Sequence, residues 1–224
     1  AVIDQAQAIT ERRFVTMDEP AVPELKKLAQ AMNVTVARLK NMFEDEAKRL
    51  DGVRREANCD TLTGLANRSH FMARLRDAVQ SEHSAGGSVF IARVANLASV
   101  NQTLGRKDTD ELLRAFGRGL LSVAERYPEA LASRLNGADF AMLVPALSAP
   151  QGVAEELFAA LTNEAQAYLP NSPSTWLGCG NFPPGLELET ILAQVDMALA
   201  AVEADGASGL KVVDLRLGND APKS

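Results

Sequence analysis

Along residues 24–57 the apolar positions step by threes and fours. Leu25, Leu28, Met32, Val36, Leu39, Phe43, Ala47, Leu50, Val53 and Ala57 form a narrow stripe, while Lys26, Lys27, Arg38, Lys40, Glu44, Asp45, Glu46, Lys48 and Arg49 fall on the other faces. This spacing predicts one unbroken helix bearing a coiled-coil seam. About 35 residues at ~1.5 Å each make a rod of roughly 50 Å. A helix packed on its own domain is the alternative, but length and the narrow stripe favour a homodimer through Leu25, Leu28, Met32, Val36, Leu39, Phe43 and Leu50. Upstream, Val2, Ile3, Ala6 and Ile9 recur at helical spacing. A connector over Phe14–Val22 follows, and Pro23 stands where a first helical turn tolerates proline.

From Asp60 the periods mix. Helices are predicted over 68–79, 97–104, 108–123, 154–168 and 188–204, and strands over 88–94, 130–135, 140–144, 175–180 and 210–215. Asn136-Gly137 between two of these strands reads as a two-residue hairpin turn. The alternation predicts an α/β (α+β) domain with a mainly antiparallel central sheet flanked by helices, preceded by an all-α segment. The polar end of the chain, 219–224, reads as a disordered tail.

Composition narrows the function. The chain has 224 residues, of which 46% are hydrophobic and 23% charged, with a net charge of -6. That balance is globular, and it offers no excess of cations for a nucleic-acid polymer. The two cysteines, Cys59 and Cys179, cannot build a disulfide framework, so a reduced cytoplasmic setting is expected. With His70 and His83 as the histidines, a structural zinc site is excluded. No apolar run reaches the ~18 residues of a membrane span. The chain opens on Ala1, which reads as part of something longer.

Asp60-Thr61-Leu62-Thr63-Gly64-Leu65-Ala66-Asn67-Arg68 resembles the D-x-L-T-G-L-x-N-R signature of GGDEF domains, the diguanylate cyclase family. Asn101, Gly105 and Asp110 fit that family's N-D-x-x-G-H-x-x-G-D stretch, with Gln102, Arg106 and Thr109 departing from it. Arg134-Leu135-Asn136-Gly137-Ala138-Asp139-Phe140 stands in the place of R-x-G-G-D/E-E-F, and Asp196-Met197-Ala198-Leu199 fits the A-D-x-A-L helix. The resemblance covers about 60–216 and implies two GTP molecules condensed to cyclic di-GMP with two divalent ions held by carboxylates.

Carried over residue by residue, that site is degraded. Mg²⁺ wants anionic oxygens, but the first metal-ligand position is Arg93 and the turn's metal-ligand position is Ala138. The phosphate-contacting lysine aligns with Glu203, and Asn136 replaces the first glycine, a change that the left-handed tolerance of asparagine allows. The expectation is no catalysis, no metal and no cofactor. Arg93 has two readings: a pair with Asp139 that substitutes a fixed charge for the metal, or a bidentate phosphate clamp. Asn101, Asp110 and Gly137 remain as a vestigial nucleotide site. The family's product-inhibition pair falls on Tyr127 and Ala130; Arg126 and Glu129 form R-x-x-E one residue out of register.

The first part resembles a HAMP domain followed by a signalling helix, which divides the chain into 1–48 HAMP-like helices, a 49–59 signalling-helix linker, a degenerate GGDEF domain over 60–218 and the tail. HAMP plus degenerate GGDEF resembles the LapD-type inner-membrane receptors of cyclic di-GMP. That likeness implies an upstream membrane anchor, a cytoplasmic location for these residues, a downstream EAL-like domain and a possible protein partner. The expected function is a non-catalytic relay from a cyclic di-GMP sensor through a dimeric coiled coil to the membrane. The alternative is an allosteric GTP-binding domain that regulates an attached EAL phosphodiesterase.

Overall fold

The computed structural model describes residue 16 and residues 23–81, 85–170 and 174–215. The expected first HAMP-like helix, nearly all of its connector and the tail lie outside the described residues. The chain divides into two compact units, 1–57 and 58–224.

Helix α1, Pro23–Asn58, makes up nearly all of the described part of the first unit. Proline begins it because a first-turn N–H has no intrahelical partner to lose. Its apolar stripe is not uniform. Val36, expected to face a second copy, is already buried within its own chain, as is Ala29, and Met32 and Leu39 are half-buried. Leu25, Leu28, Phe43, Leu50 and Val53 stay about half exposed. The free seam therefore runs along the C-terminal half of the helix, with Leu25 and Leu28 beyond it.

The second unit is one six-stranded sheet between two layers of helices. Its elements are β1 (Ala66–Asn67), α2 (Arg68–Gln80), β2 (Gly87–Val94), α3 (Leu97–Ala124), β3 (Leu131–Arg134), β4 (Asp139–Pro145), α4 (Gln151–Gln166), β5 (Thr175–Phe182), α5 (Leu188–Ala204) and β6 (Gly209–Asp214). Strand order is β1-β3-β4-β2-β5-β6. β2 pairs antiparallel with β4 and β5, β3 antiparallel with β4, and the outer pairs β1/β3 and β5/β6 are parallel. The central strand β2 is covered on both faces, hence its nearly continuous apolar sequence. Phe90, Ala92 and Val94 pack with Phe116, Leu120, Phe140 and Leu157 on one side; Val89 and Ile91 pack with Phe71, Leu75, Ile191 and Val195 on the other. The Phe116 and Phe140 rings meet at 5.0 Å in a tilted arrangement.

Two local expectations change. The helices expected over 97–104 and 108–123 join as α3 across Gly105, whose φ of 78° and ψ of 167° break the helix in a region that glycine alone occupies comfortably. The 136–137 turn is not left-handed: neither Asn136 nor Gly137 has a positive φ, and a four-residue loop, 135–138, joins β3 to β4.

β5 and α5 touch through glycine. A Cβ on Gly178 falls 2.7 Å from the Val195 carbonyl oxygen and 2.8 Å from the Leu199 backbone nitrogen. Because both are backbone atoms, the helix must shift bodily. Gly178→Ala is expected to cost about 2 kcal/mol or more in urea unfolding; an unchanged midpoint contradicts this packing.

Candidate functional site

The site lies where β2 ends, the β3–β4 loop turns and α5 passes. Its foundation is the turn over 60–65. The Asp60 carboxylate accepts from the Thr63 N–H at 2.9 Å and the Thr63 hydroxyl at 2.7 Å, while Gly64 takes the left-handed conformation at φ 73°. Burial alone raises the Asp60 carboxyl, but the Thr63 hydrogen bonds and Arg134 together hold it below the ordinary aspartate range. Arg134 spans from this turn to the next: Nη1 reaches Asp60 at 3.2 Å and Nη2 donates to the Gly137 carbonyl at 2.9 Å. Its guanidinium also lies over the Phe140 ring, 5.8 Å from the centroid.

The β3–β4 loop closes on itself. Asn136 Oδ1 accepts from the backbone N–H groups of Ala138 and Asp139 at 3.1 and 3.0 Å. Its Nδ2 donates to Asp139 Oδ2 at 2.8 Å. This is an Asx turn, in which a side chain occupies amide donors that a ligand oxygen could otherwise take.

Arg93 is the last residue but one of β2 and stands opposite Asp139 in the antiparallel register. Its Nε donates to Asp139 Oδ1 at 2.6 Å and its Nη2 to Asp139 Oδ2 at 3.1 Å, while Nη1 donates to Glu203 Oε2 at 2.6 Å. One guanidinium thus ties β2, β4 and α5 together. The hydrogen bonds that Arg93 donates to Asp139 lead the effects that raise the Arg93 pKa, followed by the Asp139 charge and Glu203 against the opposing effect of burial. Burial raises Asp139 in turn, but Arg93, Asn136 and the Arg68 charge outweigh it and leave the carboxyl lowered. Asp196, one helical face up α5, is pushed up by burial and by the Asp139 charge.

Residues 57–208 match the family described as diguanylate cyclase, GGDEF domain. The chain belongs to the GGDEF family. Diguanylate cyclase DgcS of Shewanella oneidensis is 27% identical over 164 residues, covering 72% of this chain and 55% of that protein. RNase E specificity factor CsrD of Escherichia coli is 23% identical over 193 residues, covering 84% and 30%. The chain spans about half the length of the first curated relatives it matches. Among solved structures, the Vibrio cholerae LapD S helix-GGDEF-EAL protein bound to c-di-GMP superposes with a TM-score of 0.66 at 20% identity, covering 77% of this chain and 40% of that one. The coiled coil and GGDEF domain of DgcB from Caulobacter crescentus, in complex with c-di-GMP, gives 0.65 at 24%, covering 82% and 100%. At these identities the likeness shows the fold.

Within this GGDEF domain the fit of a divalent ion can be tested at the residues themselves. Ala138 offers a methyl group. The carboxylates beside it, Asp139 and Glu203, each hold an Arg93 nitrogen at 2.6 Å. A divalent cation enters only by displacing a cation already seated, so the residues present do not fit the two-ion site that the family resemblance implies. Among the described residues no group of three or more His, Cys, Asp or Glu is disposed to hold a metal.

The other expected residues divide. Arg93, Asn136, Asp139 and Glu203 come together; Asn101 and Asp110 lie on α3, on either side of the Gly105 break, exposed and half-buried respectively. The phosphate-clamp reading of Arg93 gives way, because its guanidinium fork is taken by Asp139 and Glu203. Arg126 is likewise engaged, paired with Glu156 of α4, and Glu129 takes a left-handed turn, so the R-x-x-E forms no site of its own. Arg68, Arg134 and Asp196 belong to the cluster although sequence reasoning gave them no site role; their signal was membership of the matched motifs.

Asp139 is lowered on folding, so it stabilises the native state above the ordinary aspartate range and loses that contribution as pH falls through its lower, folded value. Arg93→Met is therefore expected to cost about 1–2 kcal/mol at pH 7, partial exposure of Arg93 and Glu203 keeping it below a fully buried pair. The cost should shrink below about pH 4 as Asp139 gives up its charge. Urea unfolding of both proteins at the two pH values checks this; an equal loss at both contradicts it.

Proposed function

We propose that this chain is a non-catalytic relay module of a cyclic di-GMP receptor. The observation that carries the reading is Arg93. The guanidinium on Asp139 and Glu203 supplies internally the positive charge that a cyclase takes from metal ions, and Ala138 supplies no ligand. In this reading the first HAMP-like segment (1–48) and the signalling helix (49–59) pair in a dimer and set the position of the degenerate GGDEF domain (60–218). The readout is an EAL-like domain downstream or a protein partner. The chain is the cytoplasmic portion of an inner-membrane protein anchored upstream; among the described residues no helix is long and apolar enough to cross a membrane. Two likenesses support the reading. A solved relative carries S helix, GGDEF and EAL in one protein, and a curated relative is named as a specificity factor rather than as a cyclase.

A second reading is favoured by one observation. Asn101 and Asp110, which match the family's guanine-contacting residues, project from α3 without a hydrogen bond or ion pair to any other described residue. Such side chains are available to a base. On this view the domain binds GTP without turning it over and adjusts an attached EAL phosphodiesterase.

Calorimetric titration with GTP and Mg²⁺, with the same samples assayed for cyclic di-GMP, tests both readings. The relay reading predicts neither binding nor product. Micromolar binding without product, weakened about tenfold or more by Asp110→Ala, selects the GTP-binding reading. Cyclic di-GMP above background contradicts both.

A further inference from the structure

Helix α1 changes character along its length. Up to Leu39 it is packed, with Ala29 and Val36 buried and Met32 and Leu39 half-buried. From Lys40 to Asn58 every described side chain is exposed, so no face of the helix has tertiary cover there. That stretch is held by its own backbone hydrogen bonds and by the surface pairs Lys40–Glu44, Asp45–Lys48 and Glu46–Arg49. Among the described residues no ion pair of this helix lies beyond Arg49. Gly52 follows. A glycine is ordinarily required by a left-handed backbone or by a close neighbour, and Gly52 has neither. Its φ is not positive, and a Cβ there would meet nothing within 4 Å. After proline it is the poorest helix former, set in the interior of a bare helix. The residues around it spell a helix end. Lys48 and Arg49 make a basic last turn, Gly52 fits the position after a cap, and Asp51 is a preferred residue for starting a new helix. The helix runs through all of these signals.

We propose that α1 is built to break at Asp51–Gly52, and that residues 52–58 give up their helical hydrogen bonds as one unit while the helix before them stays formed. The opening is cheap for three reasons. No tertiary packing is lost, because none covers this stretch. Glycine gains more backbone freedom than any other residue when the helix opens. So short a piece does not sustain a helix by itself once it is cut from the rest. The weak stretch also lies between two held ends, the packed residues up to Leu39 and the backbone pairing of Cys59 with Ala66. The use of such a break rests on the relay reading, whereas its existence does not. A continuous helix passes a rotation or translation of residue 39 on to residue 58, and a broken helix passes neither. The relay then has two states that differ in the order of one segment, and the signal reaches the domain only while 52–58 is helical. Alanine at 52 would hold the coupled state at no steric cost. Glycine is the residue that keeps the uncoupled state within reach.

Amide hydrogen exchange on the whole chain, resolved residue by residue, tests this. The proposal predicts a step at Gly52, with the amides of 53–57 sharing one protection factor that is lower than those of 43–49. Gly52→Ala should raise that shared protection about fivefold, the difference in helix propensity between the two residues, and leave residues 30–39 unchanged. Asn41→Ala is a similar gain at an equally bare position before the break, and it should leave 53–57 unchanged. Protection that falls smoothly toward the end of the helix is ordinary fraying and overturns the break. So does an Asn41→Ala variant that protects 53–57 as much as Gly52→Ala does, because the bare helix then opens as one piece. Either of these results leaves the relay reading in place with a rigid helix, since that reading stands or falls on the nucleotide titration.

Discussion

A guanidinium held by two carboxylates from different elements fixes the geometry of everything around it. Arg93 is the last residue but one of the central strand β2, which is buried on both faces, so its backbone position is set by the core. From there it reaches Asp139 at the start of β4 and Glu203 near the end of α5. With both attachments made, the helix, the central strand and the start of β4 are tied together by one side chain. The same three charges leave no room for a cation from solution, so one interaction carries both the rigidity of the site and its proposed loss of catalysis.

A second set of bonds supports the first. Asp60 is held by Thr63, Arg134 bridges from Asp60 to the Gly137 carbonyl, and Asn136 folds its amide over the N–H groups of 138 and 139. The GGDEF signature at 60–68 thus serves here as a clamp on the β3–β4 loop.

Much of this was legible in the sequence. A nearly continuous apolar run gave the central strand, helical spacing gave α2 and α5, and the nine-residue signature gave the family. What escaped was of three kinds. β1 is two residues long, too short for any periodicity. Asn136-Gly137 carries the usual residues of a left-handed hairpin turn, but the asparagine amide bonds to its own loop and stabilises a different one. The third kind is long-range: Glu203 was visible as a reversal of sign, and Arg93 as a misplaced cation, but 110 residues separate them and no local pattern joins them. The burial of Val36 within its own chain was hidden for a similar reason, since a heptad stripe looks alike whether its cover is its own chain or a copy.

The central claim is that a resident arginine excludes the divalent ion, and it is most directly tested by watching that arginine. Protein carrying ¹⁵N-labelled arginine is titrated with Mn²⁺ in the presence of GTP, and the Nε–H signal of Arg93 is followed. The account predicts that the signal keeps its position and its width, because the guanidinium stays on Asp139 and Glu203 and no paramagnetic ion settles beside them. Saturable broadening centred on Arg93 and the 136–139 loop would contradict it, by placing a divalent ion where the guanidinium is held to exclude one.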